Sequence, residues 1–202
     1  MYGLPANTER GKQLGKERVF AQFKVCYADQ ERFNADVSTM FITNWISEET
    51  VPGLKPGGKV KGIYVLTLNL KRDGCDAKNL ELLAKAIPQN MVFALVFENT
   101  VRFAVRHERL HIGPLSPADE AKLELGGMDL DAAWANMVKS IGGIVVEEGR
   151  TLEEQIETNE NRRKIAQQIE NLTEKAYKEK QPRRKTKLLE QIKSLKEQLE
   201  NI

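Results

Sequence analysis

The chain has 202 residues, 41% hydrophobic and 30% charged, enough for one domain of about 100–150 residues, an appendage and a heavily solvated surface. Its 31 basic and 29 acidic side chains leave a net charge of +2, too small by itself to argue for a nucleic-acid or membrane partner. The opening residues, Met1 to Lys16, hold no apolar h-region, and the longest apolar run, Met91 to Phe97, falls far short of the roughly 20 residues that span a bilayer. The only cysteines, Cys26 and Cys75, lie far apart, so no disulfide framework is expected and the predicted location is cytoplasmic.

Residues 1–18 are polar and broken by Gly3, Pro5, Gly11 and Gly15, and read as an arm or loop. Val19, Ala21, Phe23 and Val25 alternate, which predicts a strand over Val19–Tyr27. Asp29 to Val37 reads as a short helix, followed by an apolar stretch from Met40 to Ile46. Pro52, Gly53, Pro56, Gly57 and Gly58 mark a loop. Lys59 to Lys71 has the clearest strand pattern. Asp76 to Ile87 reads as a helix with Leu80, Leu83, Ala84 and Ile87 on one stripe, stopped by Pro88. Met91–Glu98 and Val101–His107 form a hairpin across Glu98-Asn99-Thr100. Gly126-Gly127 precede a further helix, capped by Asp129 or Asp131, with Trp134, Met137, Val138 and Ile141 on one face and Gly142-Gly143 at its end. The succession predicts an α/β or α+β domain with a mixed sheet over 1–150.

From Thr151 the texture changes, with no further glycine and Pro182 as the single proline. Leu152, Ile156, Ile169, Leu172 and Ala176 make one helical stripe. Leu188, Ile192, Leu195, Leu199 and Ile202 make a tighter seam at coiled-coil spacing. Gln181-Pro182 suits a helix–helix turn with Pro182 at the first helical position, so residues 151–202 are predicted to form an antiparallel helical hairpin, with a single kinked helix as the rival. This tail holds 12 basic and 10 acidic side chains, so it carries the whole net charge. Its turn is the basic region: Lys175, Lys178, Lys180, Arg183, Arg184, Lys185 and Lys187, against Glu179 alone. Such a cluster points to phosphates or an acidic protein surface, the alternative being a solvated helical tip. Tyr177 is the one aromatic there, leaving little for base stacking.

Three motifs bear on catalysis. His107-Glu108-Arg109-Leu110-His111 matches the H-E-x-x-H zinc signature, which needs a helix to put both imidazoles on one face. Here Val101, Phe103 and Val105 lead into it as a strand, and Gly113-Pro114 cut any helix short. A continuous strand would place the two imidazoles about 13 Å apart, exposed at a strand end, at roughly 3.3 Å per residue. A third ligand would have to be a carboxylate such as Glu120 or Glu124. Gly11-Lys12 suggests a phosphate loop, but Ala6 and Gln13 stand where glycine and Ser or Thr are required. A restriction-type nuclease carries an acidic residue two before a lysine on a core strand. Asn69-Leu70-Lys71 has the lysine but an amide for the carboxylate, with Asp36 and Asp73 as unplaced acids. Cys26 reads as a buried structural thiol. No cofactor, metal or catalytic residue is assigned.

Several segments together resemble one family: Lys12-Gln13-Leu14-Gly15-Lys16, Asp36-Val37 with Ile46-Ser47, Leu68-Asn69-Leu70-Lys71, Ala86 to Phe93, Gly127-Met128-Asp129-Leu130-Asp131, and Lys178 to Lys185. Their order and spacing are similar to the domain-of-unknown-function family 4391 across nearly the whole chain. Many of its members are encoded beside DNA methyltransferase and helicase genes in restriction-like defence operons. The resemblance implies a partner in such a system and supplies no catalytic residues. The family strand often reads Glu-Leu-Lys where this chain has Asn69-Leu70-Lys71. The expected function is a non-catalytic accessory or adaptor subunit of a DNA-targeting, anti-phage defence complex. A helicase or methyltransferase would be its protein partner and DNA a further partner at the basic tip. The alternative is a small metal-dependent nuclease or hydrolase.

Overall fold

A computed structural model describes residues 1–147 and 149–200. The chain forms two compact units, Met1–Ile144 and a helical unit from Val145 onward.

The first unit is built on a mixed six-stranded sheet of order β1-β2-β3-β4-β5-β6. Its strands are β1 (Glu9–Gln13), β2 (Val37–Ile46), β3 (Ile63–Leu70), β4 (Asn90–Phe97), β5 (Thr100–His107) and β6 (Arg109–Pro117). Neighbours are antiparallel except β3 and β4, which run parallel and are joined by helix α3 (Ala77–Ala86). That is the crossover a parallel pair demands, since no tight turn can return the chain to the same end of the sheet. Helices α1 (Lys16–Gln22) and α2 (Tyr27–Asp36) lie between β1 and β2, and α4 (Leu130–Gly142) follows β6.

Alternate strand residues divide between two cores. Leu66, Leu68, Phe93, Leu95 and Ala104 pack with Phe20, Phe33, Leu80 and Leu83 of α1, α2 and α3. On the other face α4 packs against β5 and β6 and buries Trp134, Met137, Val138 and Ile141. Each such side chain contributes about 1.5–3 kcal/mol. Asp129 caps α4, accepting from the Ala132 N–H at 2.8 Å, and Gly143 ends it in the left-handed conformation. Asp131 is not a cap. Its carboxylate accepts the backbone N–H groups of Gly58, Lys59 and Val60, at 2.7 Å for the first and last. These bonds hold it below the usual carboxylate range and tie the Gly-rich loop to α4.

Several expectations are corrected. Val19–Tyr27 is not a strand but α1 and the start of α2, because Val19, Phe20 and Phe23 also share a helical face and Phe20 meets Phe33 edge-to-face at 5.5 Å. A short apolar alternation cannot separate the two periods. Residues 1–18 are no loose arm: Tyr2, Leu4 and Thr8 are buried, and β1 pairs with β2. The Lys59–Lys71 strand starts only at Ile63, because Asp131 holds residues 58–60 in a loop. β6 is a strand the pattern did not announce.

In the second unit, α5 (Leu152–Lys178) and α6 (Pro182–Glu200) pack on each other. Thr151 and Glu154 form a capping box at the start of α5, satisfying two otherwise orphaned donors. The helix breaks at 179–181 rather than continuing kinked, with Pro182 at the first position of α6. Ala176 and Ile192 are the buried centre of the seam, flanked by half-buried Leu172, Leu188, Leu195 and Leu199. Ile202, the last expected seam position, lies outside the described residues.

Candidate functional site

The seven cations gather at the α5–α6 turn. Lys175 and Lys178 stand on the last turn of α5, Lys180 in the link, and Arg183, Arg184, Lys185 and Lys187 on the first turns of α6. All seven are exposed. Lys178 approaches Glu174 at 3.7 Å, an exposed pair of little net strength. Glu179 is spent on the turn itself, accepting the Gln181 N–H at 2.8 Å. The cations therefore face solvent with little local compensation. Lys175, Lys178, Arg184, Lys187 and Leu188 line a concavity of about 550 Å³ between the helices. Tyr177 is 87% exposed.

Their position carries an energetic signal. Cations in the last turn of α5 suit the negative end of its dipole. Those in the first turn of α6 oppose the positive end, where the helix has no acidic residue, at about 0.3–1 kcal/mol each. A hairpin selected for stability alone would place Asp or Glu there. Cations beside a helix N-terminus add their field to the free N–H groups and concentrate positive potential for an anion.

The restriction-type residues meet at the end of β3 but do not form a metal site. Asp36 is fully buried and accepts from Arg72 Nε at 2.7 Å, the Asp76 N–H at 2.8 Å and Asn79 Nδ2 at 2.8 Å. Arg72 Nη2 also pairs with it. Lys71 Nζ donates to the Asn34 carbonyl at 2.6 Å, and Asn69 donates to Thr39 at 2.8 Å. Asp73 is exposed on the loop beyond. A carboxylate saturated by an arginine and two neutral donors has no lone pair directed at a cation, so these residues do not fit a metal centre.

His107 and His111 sit across a turn rather than along one strand. Glu108 alone separates β5 from β6, at φ 58°, and His111 pairs with Val105. The expected spacing along a continuous strand is therefore wrong, and so is the exposure. His111 is 6% exposed, beside the end of α4, and burial and Arg109 hold its imidazole below the usual histidine value. His107 Nδ1 accepts from Trp134 Nε1 at 3.3 Å. Glu120 and Glu124 instead line a cavity with Phe103 and Gly113. No group of three or more His, Cys, Asp or Glu side chains converges as a metal site among the described residues.

Gly11-Lys12 lies in edge strand β1, with Gly11 at φ 57°, not in a strand-to-helix phosphate loop. Cys26 is exposed, not buried, because it precedes α2 rather than lying inside a strand. Cys75 is half-buried and desolvation raises its thiol to about 11. A cavity of about 700 Å³ beside Cys26, lined by Lys24, Asp29, Arg32, Lys78 and Lys85, has no sequence signal, since the alternation over Val19–Val25 predicts a strand where α1 lies.

Among the described residues no helix is long and apolar enough to cross a membrane. No curated protein and no solved structure matches the chain. The family model described as Domain of unknown function (DUF4391) matches residues 2–199, so the chain belongs to that family.

Proposed function

We propose that this protein is a non-catalytic accessory subunit of a DNA-targeting, restriction-like defence assembly, and that its hairpin tip contacts the phosphate backbone. The observation that carries this reading is the placement of exposed arginines and lysines on the first turns of α6, where they oppose the helix dipole. Lysine and arginine with one exposed aromatic neighbour bind phosphates without reading bases. The saturated Asp36 and the amide at Asn69 favour an adaptor over the nuclease alternative. The helicase or methyltransferase partner comes from the gene neighbourhoods that the family resemblance implies.

The test is a gel shift with a short duplex over a range of salt. The log–log slope is about −0.9 per phosphate neutralised. Changing Arg183, Arg184 and Lys185 to Ser should flatten the slope and leave helicity intact, since all three are exposed. DNA binding unchanged in this variant, with loss of pull-down by a co-expressed helicase or methyltransferase, would move the tip from DNA to protein.

A further inference from the structure

The sheet face that carries α1–α3 is not wholly covered. At the carboxyl ends of β3 and β4 the last residues, Leu70 and Phe97, are half-buried, and beyond them Ile112 is 43% and Leu115 49% exposed. Strand register puts Leu95, Arg102 and Leu115 in one row across β4, β5 and β6. These six side chains line a pocket of about 80 Å³, too small for a metabolite-sized ligand of about 300 Å³ or more but suited to one anchoring side chain of a partner.

Arg102 sits in the middle of this apolar strip. Its Nε is buried without a hydrogen-bond partner among the described residues. Asp73 at the rim is the one carboxylate in the lining and makes no ion pair with it. Arg106, exposed, stands on the same face of β5. A desolvated donor left unpaired costs about 1–3 kcal/mol, so a partner carboxylate that accepts from this buried Nε–H would be stabilised here. Arginine among apolar side chains is also the composition of interface hot spots.

The occupant's form follows from the edge. β6 carries Pro114 and Pro117, and its pairing with β5 is irregular between Arg102 and Ala104. Prolines cannot donate to a ladder, so β6 resists extension by a further strand. The rest of this face is already covered by residues of α1, α2 and α3, Phe20, Phe33, Leu80 and Leu83 among them, so a helix is the element that continues the layer.

We propose that this open end of the sheet is a docking surface for an amphipathic helix of a partner protein, which inserts an apolar side chain beside Leu115 and sets a carboxylate on Arg102. The surface rests on the adaptor reading only in requiring a protein partner; the tip plays no part in it, so each can fail alone.

The probe is a fluorescein-labelled synthetic helix with a leucine stripe bordered by glutamates, titrated with the full chain and followed by anisotropy. Arg102→Glu should weaken binding about tenfold or more, the loss of a hot-spot contact. Ile112→Ser, at an exposed position where the fold is not at risk, should weaken it too. A matching helix bordered by lysines should bind the parent worse and the Arg102→Glu variant better. The surface is overturned if the glutamate helix does not bind, if it binds both variants like the parent, if the lysine helix binds the parent equally well, or if a DNA duplex displaces it. Changing Arg183, Arg184 and Lys185 to Ser should leave peptide binding unaltered, which separates this surface from the tip.

Discussion

Replacing Asp36 by alanine is the sharpest test of whether the residues at the end of β3 are structural or catalytic. The carboxylate is fully buried and joins three segments: the end of α2, the β3–α3 loop through Arg72 and Asp76, and α3 through Asn79. Its removal leaves the Asp76 N–H without its acceptor and one N–H of the fully buried Asn79 amide unmatched, while that amide keeps its bonds to Arg32. Each unsatisfied group costs about 1–3 kcal/mol, and breaking a buried ion pair costs about 3–5 kcal/mol. Arg72 is 64% exposed, so water can solvate it once the carboxylate is gone, and the lower end applies: about 3 kcal/mol. For a unit of this size that lowers the melting midpoint by about 6–12 °C. Arg72→Ala should also destabilise, because it leaves the fully buried carboxylate without its counter-charge, with only the Asp76 and Asn79 donors to hold it. Both tryptophans, Trp45 and Trp134, lie in the first unit, so tryptophan fluorescence during urea or thermal unfolding reports on that unit alone. A parent-like midpoint in Asp36→Ala would refute the structural assignment. Parent-like stability combined with loss of a metal-dependent DNA cleavage would revive the nuclease.

Two further outcomes follow from the structure. Ile192→Asp places a carboxylate at the most buried position of α6, where an unpaired charge is costly; helicity at 222 nm should fall, and an unchanged spectrum and melting curve would count against the seam. His111 is buried with a folded-state value below its unfolded value of 6.5, so the unfolded chain takes up the proton first: stability is complete above that value and declines as pH falls through and below it. The urea midpoint should therefore be lower at pH 5.5 than at 7.5, His111→Gln should reduce the difference, and an equal difference in the variant would exclude this imidazole as its source.

Long, strongly periodic segments were legible from the sequence. The α3 stripe ending at Pro88, the α4 face between Asp129 and Gly143, the β4–β5 hairpin and the break at Gln181-Pro182 all rest on local pattern, and local pattern needs no knowledge of partners. So does the charge at the tip, because exposed cations keep the positions that helix spacing gives them. The first 27 residues are not legible in this way, for the opposite reason. Val19 and Phe23 fit two periods, and only the burial of Val19 and Phe20, the latter against Phe33, selects the helix; β1 is polar throughout and becomes a strand because β2 offers it a ladder. The site residues divide the same way. That Asn69 lacks a carboxylate is visible in the sequence, whereas the fate of Asp36 depends on Arg72, Asp76 and Asn79, 36 to 43 residues away. Only the tertiary structure brings those donors to one oxygen pair, and only it separates His107 from His111 by a turn at Glu108 and buries one of them. Hydrogen bonds and burial between distant segments leave no periodic trace along the chain, so the fold alone decides which side chains keep a free valence for function.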